Sequence, residues 1–211
     1  MFVEKVKLKP PQYVMSTTTE LIKTLFELES KRAIAYNRFS GGFKSYLEND
    51  DEPQYVELCK QITVEFSGLS LQVNEVESKF KSLERSDLAQ IVRNIQIQEK
   101  QKLENTIKHQ MLQKQMNFQK KSKQNRRTKQ ESHENINHHD HGHHHQNPAL
   151  QNNNEIEKRA EEEEQFETFE EQQKAIDDQQ QLKEYAKTIN STINQINELL
   201  NELRFELEDQ S

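Results

Sequence analysis

The sequence predicts an all-α protein: an antiparallel three-helix bundle with long helices, a disordered linker, and a long C-terminal coiled-coil helix. Three observations carry this prediction. Apolar residues recur at steps of three and four along most of the chain, the spacing that keeps side chains on one face of an α-helix. Only four Gly and four Pro occur in 211 residues, which leaves few sites for the tight turns of a sheet. Short polar turns separate the first three periodic segments, and short connections make successive helices antiparallel neighbours.

The clearest helix runs from Pro53 to Leu83. Tyr55, Leu58, Ile62, Phe66, Leu69, Val73, Val76, Phe80 and Leu83 form its stripe. A stripe of that length needs partner helices to shield it from water. The preceding segment, over about 17–47, opens at Thr17 with Glu20 at capping-box spacing. Its stripe is Leu21, Leu25, Leu28, Ala35, Tyr36, Phe39, Phe43, Tyr46 and Leu47, with Arg32 in a seam position and Gly41 and Gly42 marking a bend or a close helix contact. Asn49, Asp50 and Asp51 form the turn into the second helix, and Pro53 suits its first position. A third helix over about 87–118 starts at Asp87, with Gln90 completing the cap spacing. It carries Leu88, Ile91, Val92, Ile95, Leu103, Ile107 and Met111, with Glu99 in the seam. Together these helices make a bundle domain over 16–119, preceded by an arm over 1–15 in which Pro10 and Pro11 forbid helix.

Residues 120–154 lose the periodicity. KKSKQNRRTKQ, HHDHGHHHQNP and QNNN are polar tracts that bury too little apolar surface to offset the entropy of ordering, so they read as a disordered linker. Helical pattern returns over 155–208, first as an acidic, Gln-rich run with Phe166, Phe169 and Ile176. It then becomes a heptad seam of Leu182, Ala186, Ile189, Ile193, Ile196, Leu200, Leu203 and Leu207, widened by Leu199 and Phe205. This seam either returns to the bundle as a fourth helix or pairs with another chain, as a homo- or hetero-oligomer. Its length matches the bundle, which favours return.

Composition narrows the function. With 31% hydrophobic and 31% charged residues and a mean hydropathy of -1.11, the chain cannot bury a core along its whole length. The single Cys59 permits no internal disulfide, no apolar run reaches membrane-spanning length, and the opening MFVEKVKLKPP has no hydrophobic signal segment. An intracellular protein with no membrane contact is the expectation. The net charge of -7 conceals a basic block near residue 120 and an acidic one near 160.

Few groups suggest chemistry. Arg32 and Glu99 lie about four turns from the starts of two parallel helices, at similar height, and so form a candidate buried structural pair. The alternative is that each reaches water along its aliphatic stem. Lys120, Lys121, Lys123, Arg126, Arg127 and Lys129 offer weak phosphate contact with nucleic acid or a nuclear-import signal. No aromatic residue interleaves them to stack on bases, so a solvated linker is the plainer reading. His138, His139, His141, His143, His144 and His145 are weak candidates for a Zn, Ni or Cu site, since imidazoles flanking Gly142 in polar sequence form no fixed tetrahedron. Cys59 reads as a packing residue, and the acidic run from Glu161 to Glu171 as a solvated helix face. No nucleophile elbow, phosphate loop or paired metal-ligand helix is present, so neither catalysis nor a cofactor is expected.

Residues 25 to about 112 resemble the required-for-excision 1-B domain family. The likeness rests on Phe26, Arg32, Tyr36, Phe39, Phe43, Tyr46 and Leu47, then Tyr55, Cys59, Thr63, Phe66, Val73 and Glu77. It continues with Leu88, Ala89, Ile91, Gln96, Glu99, Lys100 and Leu103. The resemblance implies an accessory role in DNA excision repair, a nuclear location and no catalytic residues. The helical pattern by itself fits a second expectation equally well, a structural coiled-coil component of a cytoskeletal or ciliary assembly. Either way, protein partners meeting helix faces are expected. Metal buffering by the His tract is a third expectation.

Overall fold

The computed structural model describes residues 12–134 and 150–209, with side chains over 17–125 and 169–209, and every element among them is helical. Four α-helices follow one another: α1 (Gln12–Asn49), α2 (Glu52–Ser82), α3 (Ser86–Glu134) and α4 (Leu150–Asp209). They divide between two compact units. The first joins the chain up to Thr106 with Lys187–Ser211, and the second is Ile107–Ala186.

The first unit is a four-helix bundle. Its core draws Leu21, Ile22, Leu25, Leu28, Ala35, Tyr36 and Phe39 from α1, and Ile62, Phe66, Leu69, Val73, Val76 and Phe80 from α2. Leu88, Ala89, Val92 and Ile95 come from α3, and Ile196 and Leu203 from α4. The α2 stripe is buried as its spacing predicts, with Tyr55, Leu58, Cys59 and Leu83 half-buried at its ends. The α4 seam returns to the bundle as a fourth helix, with Leu199, Leu200 and Leu207 packed on the same core. Arg85, at the start of α3, places its guanidinium 2.8 Å from Glu206 near the end of α4, so these two helices run antiparallel.

The turns follow from local chemistry. Asp50 takes a left-handed backbone, φ 56°, a conformation that Asp tolerates better than most residues. Its amide closes on the Tyr46 carbonyl at 2.9 Å, ending α1. Asp51 caps α2, its carboxylate accepting from the Gln54 amide at 3.0 Å, which puts Pro53 second in the helix, where the missing N–H still costs no intrahelical bond. At the other end Glu84 is left-handed, φ 57°, and the Arg85 amide reaches the Phe80 carbonyl at 3.0 Å, satisfying carbonyls the helix leaves open.

Several expectations are corrected. Thr17 is inside α1, which starts five residues earlier at Gln12, so the Thr17–Glu20 spacing does not mark the helix start. Asp87 lies within the first turn of α3, which starts at Ser86, and its carboxylate meets Arg85 at 2.8 Å; Arg85 first, then the Leu88 and Asp87 amides, hold its carboxyl below the usual range. The linker does not begin at Lys120, because α3 continues to Glu134. No Gly or Pro lies between, and Lys, Gln, Arg and Glu are good helix formers even where they bury nothing. α4 likewise starts at Leu150, ahead of the expected 155. The rest of the linker, 135–149, and the arm over 1–11 are outside the described residues. Ile107, Met111 and Phe205 are exposed, contrary to their place in the stripes.

α1 runs unbroken through Gly41 and Gly42. A Cβ on Gly42 would overlap the Leu58 side chain, whereas one on Gly41 would meet open space. Gly42 therefore lets α1 and α2 approach closely, and Gly41 does not serve that purpose.

Candidate functional site

The bundle interior is mostly apolar; Thr18, Glu77 and Thr192 are buried singly, and one layer gathers charges of both signs. On α1, Glu29 and Arg32 sit one turn apart, and Tyr36 follows one turn later. On α3, Glu99 and Lys102 have the same spacing. Arg32 is 3% exposed, Glu29 9% and Glu99 7%, so these side chains are held away from bulk water. Arg32 Nη1 donates to Glu29 Oε1 at 2.9 Å, and Lys102 Nζ donates to Glu99 Oε1 at 3.1 Å. Lys102 Nζ also lies 3.8 Å from the centroid of the Tyr36 ring, a cation–π contact, and the Tyr36 hydroxyl donates to the Glu99 carbonyl at 3.3 Å.

Arg32 and Glu99 thus share the layer without forming an ion pair with each other. Each takes a partner three residues away on its own helix, the spacing at which helical side chains are neighbours. Glu29 and Lys102, absent from the expected pair, are marked in the sequence only by that spacing. Burial pushes the Glu29 carboxyl up to about 7, with Arg32 opposing the rise and Glu99 adding to it. Burial and the Glu99 charge push the Tyr36 phenol up as well.

Two clefts open onto this layer. One, of about 330 Å³, lies among α1, α2 and α3 and is lined by Arg32, Tyr36, Phe66, Ser70, Arg93, Gln96, Ile97, Glu99, Lys100 and Leu103. Seven of these ten carry the family likeness, namely Arg32, Tyr36, Phe66, Gln96, Glu99, Lys100 and Leu103, so residues far apart in sequence converge on one surface. Gln96 spans the groove, its Nε2 donating to Asn74 Oδ1 at 2.9 Å and reaching the buried Glu77 at 3.4 Å. The second cleft, of about 370 Å³, lies among α1, α3 and α4, with Glu29, Tyr36, Glu99 and Lys102 on one wall and Ile189, Ile193 and Ile196 on another. The charge layer is the polar wall between them.

Other candidates fall elsewhere. Cys59 is half-buried and packs on the core. Lys120, Lys121 and Lys123 are in the second unit, where Lys123 Nζ meets Glu171 Oε2 at 2.7 Å. Arg126, Arg127 and Lys129 lie on α3 with side chains outside the described residues. His138, His139, His141, His143, His144 and His145 are all outside the described residues. Among the described residues no cluster of His, Cys, Asp and Glu is placed to hold a metal ion, and no helix is long and apolar enough to cross a membrane.

Residues 20–113, a little under half of the chain, match the family model described as DNA repair REX1-B. This is the family that the sequence resembles, and the match runs from the first turns of α1 through the α3 segment that completes the cleft. No curated protein and no solved structure gives a significant match.

Proposed function

We propose that this protein is a non-catalytic α-helical adaptor that serves DNA excision repair by holding protein partners on the faces of its bundle. The observation that carries the reading is the coincidence of the family match with the cleft: the matched segment 20–113 supplies every residue that lines it. The chemistry of the layer supports binding over turnover. Its carboxylates are already paired with Arg32 and Lys102. A general base or nucleophile needs a group free to reach a substrate, and paired, desolvated charges are better suited to shaping a rigid surface.

The test is relocation. After ultraviolet damage, proximity labelling from the tagged full-length chain is expected to enrich nuclear repair proteins over the undamaged control. Labelling that does not change on damage would defeat the repair role, and substrate turnover by the pure protein would defeat the non-catalytic one.

The lengths of α3 and α4, 49 and 60 residues, favour one second reading. Helices several times longer than the globular average suit a structural component of a cytoskeletal or ciliary assembly. Detergent-resistant co-purification with microtubules would be the expected result in that case.

A further inference from the structure

The α1–α2–α3 cleft has a chemistry that selects its occupant. Arg93, Ile97 and Lys100 stand at i, i+4 and i+7 on α3, so they share one face along its rim. Arg93 is exposed and makes no ion pair among the described residues, and Lys100 is only loosely held by Glu104, at 3.9 Å. Ile97, between them, is half exposed. Below the rim lies Arg32, whose side-chain hydrogen bonding among the described residues is the Nη1 contact to Glu29. A guanidinium carries five donors in a fixed fork, so one contact leaves most of the fork unused in a residue that lines the cleft. The negative charge present is already spoken for, since Glu99 is paired with Lys102. The groove therefore combines unsatisfied cationic donors with an apolar wall of Phe66, Ile97 and Leu103.

We infer that this cleft docks an acidic–apolar segment of a partner protein. An Asp or Glu carboxylate is received by Arg93, Lys100 and the open side of Arg32, and an adjoining Leu or Phe covers Ile97 and Phe66. Nucleic acid fits less well, because a phosphate backbone draws its affinity from a row of cations, whereas this groove offers only Arg93, Lys100 and the buried Arg32 beside an apolar wall. The inference rests on the adaptor reading and gives it a partner class.

The full-length chain is titrated, with fluorescence anisotropy as readout, into short labelled peptides that pair Asp or Glu with Leu or Phe. The same peptides with Asn and Gln, and a labelled DNA duplex, are run in parallel. The acidic peptides are expected to bind more tightly than their amide counterparts. Charge reversal at the exposed rim, Arg93→Glu with Lys100→Glu, is expected to weaken that binding by roughly tenfold or more, while Lys44→Glu on α1 leaves it unchanged. Circular dichroism of each variant confirms that the bundle stays folded. Equal binding of acidic and amide peptides, binding indifferent to rim reversal, or a preference for the duplex would each overturn the inference. Because the assay involves no damage response, the adaptor reading is judged separately by relocation: peptide binding without relocation defeats only the repair role, and relocation without peptide binding defeats only this cleft.

Discussion

Glu29 shows how one buried residue sets a property of the whole bundle. Its carboxyl titrates at about 7 in the folded chain against an ordinary 4.5, so between those values the folded state binds more protons than the unfolded one. The contribution of Glu29 to stability then falls as pH rises through that window and levels off above it. Arg32 and Lys102 limit the effect from α1 and α3, and Glu99 enlarges it from α3. At about 1.4 kcal/mol per pH unit, the contribution lost is on the order of 3 kcal/mol. Denaturant titrations between pH 5 and 8 are expected to show the decline, and Glu29→Gln, an uncharged mimic of the protonated side chain, is expected to flatten it. A slope unchanged in the variant would mean that another group is responsible. The glycine pair makes a second residue-scale prediction. Gly41→Ala should stabilise α1 by up to about 1 kcal/mol, since an exposed helical glycine loses chain entropy for nothing. Gly42→Ala should forfeit that gain, because Leu58 must move aside. Thermal melts of the two variants separate these outcomes.

At the scale of the helix, α4 is held by its apolar seam more than by its charges. Leu203 is fully buried, and its truncation to Ala removes packed atoms and leaves a cavity, at an expected cost of roughly 2–5 kcal/mol. The Arg85–Glu206 pair is partly exposed, so Glu206→Gln should cost no more than about 1 kcal/mol. Equilibrium unfolding of both variants checks the ratio. The same contrast explains what could be read in the sequence. Long stripes such as Ile62 to Phe80 were legible because burial over many turns requires a period. Arg32 and Glu99 were legible as exceptions to a period, which is how the charge layer was located. Helix ends were less legible, since a cap is a single local contact: Thr17 with Glu20 and Asp87 with Gln90 have capping spacing, yet the helices begin elsewhere. Residues 120–134 are helical despite their polar sequence, because the absence of apolar periodicity argues against a core and says nothing against a helix. The cleft itself could not be read at all. Arg93, Ile97 and Ser70 carry no signal until α2 and α3 are set side by side, which is a tertiary fact.

For the molecule as a whole, the unusual feature is that the bundle is completed by a segment distant in sequence. Residues up to Thr106 pack with Lys187–Ser211, and the eighty residues between them belong to the second unit. Covalent linkage should act mainly as an effective concentration, of roughly millimolar order. Buried and partly buried residues of α4, Ile196, Leu199, Leu200, Leu203 and Leu207, contribute about 1.5–3 kcal/mol each at full burial, and less where burial is partial. Against this stands a loss of translational and rotational freedom of at least about 4 kcal/mol once the linkage is cut. With that lower figure for the loss, the balance spans millimolar to nanomolar affinity, centred near micromolar, for α4 supplied as a separate chain. Fragments 1–134 and 150–211, produced together, are thus expected to co-elute at high concentration and to separate on dilution below that range, while the intact chain keeps its bundle at any dilution. Sedimentation velocity over a dilution series reads this directly. Fragments that never associate would show that α4 depends on the intervening residues for more than tethering, and fragments inseparable below nanomolar concentration would show that the seam binds far more strongly than its five leucine and isoleucine contacts account for.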